Sequence, residues 1–414
     1  MSKLKIAVLS FPGNNCEVES VRAIRNADME AVFFRWNDDV SKLGDIDGYF
    51  IPGGFSYEDR GRAGMISARD PILEFIKEEA AKGKVVIGNC NGAQVLVESG
   101  LIPNADGLQM SLAHNAVDGE ATGFLSEWIW VTPSCDRDRC CTSNWEGTMH
   151  MPIAHGEGRF TTTDKDLFEK LKANNQIAFQ YCSEEGNVSE DKVVTPNGSE
   201  YAIAGLCNLE GNVVALMPHP ERTPKGDPYF ASVKKWIEAH PVNKDDCCKP
   251  ACRQAGNNNN SAVDLRQRDP VGVEIFIETI IVNNEERTVE QAARRQLKDI
   301  SLKQMKYFSL TGNPQEVLGT ISLFNANKEK AAIRRGKEFF SWDSDAKKEV
   351  PLDIDKQQVV LLRRDIPDTG SAGLKEGSQT GVCYVCSGVT KKEVCNSDVL
   401  EIFGNPHSST LELL

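Results

Sequence analysis

A cysteine flanked by small residues, Gly88-Asn89-Cys90-Asn91-Gly92, follows the apolar run Val85-Val86-Ile87 and precedes apolar positions at helical spacing. That order predicts a strand, a tight turn and a helix, with Cys90 at the apex where crowded backbone leaves room only for small neighbours. A thiol there feels the positive end of the helix dipole, which favours thiolate at neutral pH, so Cys90 reads as a nucleophile. Such a nucleophile needs a base and a group that orients the base. Of six histidines, His219 has the neighbourhood for that role. It follows the strand-like Val213-Val214-Ala215-Leu216-Met217 and is held between Pro218 and Pro220. Glu221 comes two residues later, on the same side of an extended chain. Taken alone, the pair reads as a turn histidine beside a solvated glutamate. The elbow at Cys90 shifts the balance towards a Cys90, His219 and Glu221 triad. The developing oxyanion needs N–H donors, and Gly53-Gly54 at a strand end and the backbone N–H of Asn91 are the natural ones.

The elements that must position these groups alternate along the first 240 residues. Lys5–Leu9, Ala31–Phe34, Asp47–Ile51 and Val85–Ile87 read as strands. Helical spacing falls between them, through Val21, Ile24 and Ala27 and again over Ile72–Ala81. This pattern predicts an α/β parallel sheet whose chemistry lies beyond the carboxyl ends of the strands, where Gly53-Gly54 and Cys90 fall. Residues 121–150 read as irregular and Met151–Phe160 as a loop. Ile177–Tyr181, Ala202–Leu206 and Val213–Met217 read as further strands, and Tyr229–Ala239 as a closing amphipathic helix.

Past Pro241 the composition becomes polar and aperiodic, predicting a linker over 241–270. Val273–Ile280 then alternates as a strand, and Thr288–Leu297 reads as a helix with Glu290 placed for capping. A further helical stretch leads to Leu323–Asn327. A fainter cycle follows: strand Val359–Arg363, weak helix Ser371–Gln379, strand Val382–Val385, and a close at Ile402–Pro406. The expected domains are 1–240, then small α+β units at 271–340 and 341–414, as tandem copies.

Composition bounds the partners. A chain of 414 residues with net charge −13 offers no basic surface for nucleic acid or anionic membrane. No apolar run reaches membrane-spanning length and no signal-like segment precedes the first strand, so a cytoplasmic protein is expected. Thirteen cysteines, an odd number, argue against a disulfide framework. Cys383-x-x-Cys386 with Cys395, and Cys247-Cys248 with Cys252, lack a clean second pair or a well-spaced histidine, so no metal site is expected.

Gly88-x-Cys90-x-Gly92 together with Pro218-His219-Pro220-Glu221-Arg222 resembles the class I glutamine amidotransferases. Within them, collinear segments over residues 4–240 resemble the glutaminase subunits of phosphoribosylformylglycinamidine synthases. These are Phe11-Pro12-Gly13-x-Asn15-Cys16, Pro52-Gly53-Gly54-Phe55-Ser56-Tyr57, Arg62-Ala63-Gly64, Pro152–Gly158 and Pro196–Ser199. The resemblance implies a three-layer, flavodoxin-like α/β domain followed by one or two small α+β, ferredoxin-like units. It implies L-glutamine as substrate, Cys90, His219 and Glu221 as catalytic residues, and Gly53, Gly54, Asn91 and Gln94 as oxyanion and glutamine contacts. No cofactor is implied on this chain. A large synthetase subunit that uses ATP and magnesium would receive the ammonia, in de novo purine biosynthesis. Val273–Asn327 resembles the small auxiliary S subunit of the same synthase, and Val359–Leu414 a second copy, which implies self-association through these units. Asn89 stands where the family has an apolar residue, Glu58 where it has a small one, and residues 121–150 match poorly. Two other readings stay open from sequence: another elbow-cysteine hydrolase of similar fold, and a non-catalytic scaffold for the synthetase.

Overall fold

Short apolar segments in an α/β chain become central strands because both faces of a parallel sheet are covered. The computed structural model describes residues 3–242, 263–353 and 358–414, and the chain divides into two units, Met1–Asn258 and Asn259–Leu414. In the first, β1 (Lys5–Ser10), β2 (Glu30–Arg35), β3 (Gly48–Ile51) and β4 (Val85–Asn89) are parallel. With β5 (Leu125–Pro133), β6 (Met149–His155), β7 (Ile177–Cys182), β8 (Ile203–Cys207) and β9 (Val213–Leu216) they form a nine-stranded sheet in the order β2-β1-β3-β4-β9-β8-β7-β5-β6. Strand β9 is parallel to β4, and the pairs beyond it are antiparallel.

Alternate residues of the strands feed two cores. Ile6, Phe50, Val85 and Ile87 pack with Ala23 and Ile24 of α1 (Glu17–Asn26), while Ala7, Tyr49, Ile51 and Val86 face the other way. That second side packs on Ile72, Leu73 and Ile76 of α2 (Pro71–Ala81) and on Val95 and Leu96 of α3 (Asn91–Glu98). Phe230, Val233 and Ile237 of α4 (Asp227–Ala239) complete the first side. Helix, sheet and helix thus make the three layers expected from sequence. Because β3, β4 and β9 are adjacent and parallel, their carboxyl ends bring Gly53, Cys90 and His219 to one edge of the sheet.

Two stretches of this unit differ from expectation. The region 121–150, read as irregular, contains the nine-residue β5, and Met151–Phe160, read as a loop, supplies most of β6 and of a strand at Glu157–Thr161. Strands β5 and β6 lie at the far end of the sheet, where one face meets solvent, and Glu157–Thr161 pairs apart from it with Ser111–His114. Trp128 is exposed, and across the strand pair Trp130 stacks on His150 while the Trp128 ring packs against it at a tilt. Pro152, a loop signal in isolation, is tolerated because β6 is an edge strand.

The second unit is one antiparallel sheet. Strands β10 (Val273–Thr279), β11 (Ser301–Leu310), β12 (Glu329–Arg335), β13 (Glu338–Asp343), β14 (Lys348–Pro351), β15 (Val359–Asp365), β16 (Gln379–Ser387) and β17 (Ser409–Leu413) lie in the order β14-β13-β12-β10-β11-β16-β15-β17. In each half a first strand, β10 or β15, is flanked by the next two strands of its cycle. The halves join where β11 pairs with β16.

Here several local expectations are corrected. The helix expected over 288–297 spans Asn284–Arg294 and is capped by Asn283, while Glu290 accepts the backbone N–H of Leu302 at 2.8 Å instead of capping. The stretch read as helical before Leu323 contains the ten-residue β11 and is helical only over Gln315–Leu318. Tyr307 to Leu310 are all buried between two neighbouring strands, which erases the period-2 signature. Ser371–Gln379, read as a helix, is a turn-rich loop up to Ser378, and Gln379 opens β16. Gly373 and Gly377 have φ of 86° and 81°, and the Asp368 carboxylate accepts the N–H groups of Gly370, Ser371 and Thr380.

Of the expected linker, Arg268 is buried and donates its N–H to Leu413 O at 2.8 Å. Cys247, Cys248 and Cys252 lie outside the described residues. Cys383 pairs across the sheet with Met305 and Leu362, and Cys386 with Leu302 and Val359, so their odd spacing sends the two thiols to opposite faces.

The seat of α3 on β3 depends on Gly92. A Cβ there would lie 1.9 Å from Ile51 O and 2.8 Å from Ile51 C, both rigid backbone atoms. Gly92→Ala is expected to destabilise the first unit by about 1–3 kcal/mol or more. Gly156→Ala, whose Cβ would meet only Phe124 at 3.8 Å, is expected to stay within about 0.5 kcal/mol of the unaltered chain in the same thermal or denaturant melt.

Candidate active site

Cys90 occupies the turn between β4 and α3 with φ 52° and ψ −109°, a left-handed conformation that a non-glycine residue adopts only when its surroundings enforce it. Three contacts enforce it here. Cys90 N–H donates to Leu216 O at 2.8 Å, tying the turn to the end of β9, and Cys90 O accepts from Gln94 N at 3.1 Å, starting the helix. Gly88 and Gly92 lie so close that a Cβ on Gly88 would fall 2.5 Å from Gly92 O. The thiol is buried beside Ala154 O at 3.7 Å.

His219 leaves the end of β9 through Met217-Pro218, and its N–H donates to Pro152 O at 2.9 Å. Its Nδ1 shares a 2.6 Å bond with Glu221 Oε1, and both side chains are buried. Burial opposes the charged form of His219, but the Cys90 and Glu221 charges outweigh it and hold the imidazole well above its ordinary range. Burial likewise opposes the Glu221 carboxylate, yet His219 and the surrounding donors hold its pKa below the usual value. Nε2 is buried without a hydrogen-bond partner in the protein, leaving it for a reacting group.

Asn89 was marked in the sequence only as a departure, and the structure gives it work. Its Nδ2 donates to Glu221 Oε2 at 2.9 Å, and its Oδ1 accepts from the Tyr229 hydroxyl at 3.2 Å. The carboxylate is thus held on one oxygen by His219 and on the other by Asn89. No local signal reveals this, because Asn89 and Glu221 are 132 residues apart.

The other side of the site is built on Gly53-Gly54. A Cβ on Gly53 would lie 2.7 Å from His219 Cε1, and Gly54, at φ 136°, passes so close to Asn14 that a Cβ would reach its Cα at 2.6 Å. Asn14 Nδ2 donates to Gly53 O at 3.2 Å, which braces the loop. The N–H of Asn91, in the first turn of α3, has no intrahelical partner by its position. Its side chain is occupied elsewhere. Oδ1 accepts from Ser56 N at 3.1 Å, and Nδ2 donates to Gln94 Oε1 at 2.9 Å and Asp59 Oδ1 at 3.3 Å.

Gln94 donates to Glu157 O at 2.5 Å, so its amide is tied to the strand Glu157–Thr161 while that of Asn91 holds the loop at Ser56–Asp59. In that loop Tyr57, Glu58 and Asp59 have φ of 52°, 58° and 52°, which costs roughly 1–2 kcal/mol per residue. Glu58, where the sequence resemblance implies a small residue, therefore stands in a conformation that favours one.

Gly53, Cys90, His219 and Glu221 therefore converge at one edge of the sheet, with Asn91 and Gln94 alongside. His155 is separate in role. Burial pushes its pKa down to about 3, so it is neutral, with Nδ1 bonded to Asn115 Oδ1 at 3.1 Å. Among the described residues, Cys16 with His219 and Glu221 is the one set of ligand-type atoms within 4.8 Å of one another. Arg222 Nη2 donates to Cys16 Sγ at 3.0 Å, so one member of that set already accepts from a guanidinium.

Residues 3–240 match the CobB/CobQ-like glutamine amidotransferase domain family. The PurQ subunit of phosphoribosylformylglycinamidine synthase from Methanothrix thermoacetophila is 41% identical over 258 residues, which is 57% of this chain and 98% of that protein. The PurQ subunit from Pyrococcus furiosus is 38% identical over 244 residues, 57% of this chain and 100% of that one. A chain in the solved PurLQS structure from Thermotoga maritima aligns at 29% identity and a TM-score of 0.46, over 57% of this chain and 100% of that chain. With more than half its length in that match and such relatives covered nearly end to end, the chain belongs to the CobB/CobQ-like glutamine amidotransferase family.

Proposed function

We propose that this chain is the glutaminase subunit of a phosphoribosylformylglycinamidine synthase, releasing ammonia from glutamine for a separate ATP-dependent synthetase subunit. The observation that carries the reading is the enforced Cys90 turn facing a buried His219–Glu221 pair. The PurQ relatives support the choice of synthase. Cys90 Sγ adds to the carboxamide carbon, and the oxyanion that forms is held by N–H groups of Asn91 and the Gly53-Gly54 loop. His219, charged beside Glu221, gives its proton to the departing nitrogen as the C–N bond breaks and a thioester remains. Water then adds to the thioester, His219 takes its proton, and the C–S bond breaks to release glutamate.

Ammonia released into water is protonated and lost as a nucleophile, so it has to pass to the synthetase through a closed route. ATP and magnesium belong to that partner, and no cofactor is assigned to this chain. The second unit is the counterpart of the small auxiliary S subunit in tandem. Its support is the two half-sheets joined at β11 and β16, and self-association through this unit is part of the proposal. The cytoplasm is the compartment that fits such an enzyme. Among the described residues no helix is long and apolar enough to cross a membrane.

Glutamate release, measured with the synthetase present, is expected to fall by about 10³-fold or more in Cys90→Ala and to persist in Cys383→Ala. Full activity in Cys90→Ala would end the assignment. The loop at the site also gives a pH dependence. Burial, and then the charge of Glu157, push the Asp59 pKa up to about 7. Its contribution to stability is therefore full below the unfolded value near pH 4 and is lost as pH rises through about 7, by at most about 4 kcal/mol. Asp59→Asn is expected to flatten the fall in unfolding free energy between pH 5 and pH 8. An unchanged slope would contradict this account of Asp59.

A further inference from the structure

Cys16 has no part in the steps above, yet it lies beside the groups that perform them. It is buried at the entrance to α1. Its Sγ accepts from Arg222 Nη2 at 3.0 Å and donates to Asn15 Oδ1 at 3.2 Å. A Cβ on Gly53 would lie 3.1 Å from this sulfur, 2.7 Å from His219 Cε1 and 3.3 Å from Cys90 Cβ. The glycine α-hydrogen therefore fills the gap between two cysteines and the imidazole. Cys16 Sγ, a ring nitrogen of His219 and a carboxylate oxygen of Glu221 all lie within 4.8 Å of one another.

We propose that Cys16 is a positioning residue for the reaction, seating the His219 ring against Gly53 and, through Arg222, fixing the segment that carries Glu221. The inference rests on the glutaminase reading. His219 must carry one proton between Cys90, the departing nitrogen and water, and only its Nδ1 is tied, to Glu221. Ring orientation therefore depends on what packs around it. A thiol suits the position because an apolar side chain would leave the Arg222 N–H without its acceptor. A hydroxyl would accept but fill less space. Burial pushes the Cys16 thiol up, so it stays S–H at neutral pH and adds no charge beside the imidazole.

The charged and titratable groups around His219 are Cys90, Glu221, Cys16 and His155. Arg222 and Arg22 lie on the Glu221 side, the latter donating to Glu221 O at 3.4 Å, and Glu19 lies 3.8 Å from Arg222. The Cys16 sulfur, within 4.8 Å of a His219 ring nitrogen, favours the charged imidazole. Losing it lowers the pH at which His219 gives up the proton that the departing ammonia needs.

The test is glutamine hydrolysis by the full chain with the synthetase present, from pH 6 to pH 10, for Cys16→Ala and Cys16→Ser. In Cys16→Ala, kcat is expected to fall about tenfold with KM within about twofold. Its alkaline limb is expected to move down by about half a pH unit or more, and Cys16→Ser to recover most of kcat. If Cys16→Ala does not fold, Arg222→Lys carries the same test, with the same downward shift expected. Unchanged kcat and limb overturn the inference. Equal losses in both Cys16 variants with an unmoved limb also overturn it, because they reduce Cys16 to packing. Absence of hydrolysis in the unaltered chain would instead overturn the glutaminase reading, and this inference with it.

Discussion

The account depends on the 2.6 Å contact between His219 Nδ1 and Glu221 Oε1 in the protein interior. Two buried ionisable groups are costly to desolvate, and the pair persists only because its geometry is completed by further partners. Asn89 donates to the second carboxylate oxygen, Tyr229 holds Asn89, and Pro152 O accepts the His219 N–H. These partners come from β4, α4 and β6, so the site is assembled by the sheet as a whole. Cys90 and Glu221 together hold the imidazole charged, which sets the direction of each proton transfer.

The turn at Cys90 meets a second constraint, the absence of space. Gly88, Gly92 and Gly53 each stand where a side chain would strike backbone or the catalytic groups. Their small size lets β3, β4 and α3 approach until the nucleophile, the base and the N–H donors share one edge. Loop residues 56–64 are held to that edge by the side chain of Asn91, while its backbone serves the nucleophile's helix. One asparagine thus links the strained Tyr57–Asp59 turn to the catalytic helix.

The parts legible in the sequence were those with local causes. Central strands buried on both faces, the elbow at Cys90, and His219 with Glu221 two residues on all carry their signal within a few residues. Strands β5 and β6 were read as irregular because their solvent face breaks the apolar pattern, and β11 as helical because its buried end has no alternation. The loop after β15 passed for a weak helix until Asp368 and its neighbouring glycines were seen to organise it as turns. Asn89 and Cys16 were illegible as functional residues for another reason. Their partners, Glu221 and Arg222, are 132 and 206 residues away, and no spacing rule reaches that far.

The central claim is that Cys90, and not its buried neighbour Cys16, forms the covalent bond to substrate. The direct measurement is peptide mass mapping after reaction with a diazo-ketone analogue of glutamine, with and without excess glutamine. The account predicts one adduct, on the peptide carrying Cys90, suppressed by glutamine. An adduct on Cys16, or none on Cys90, would contradict it.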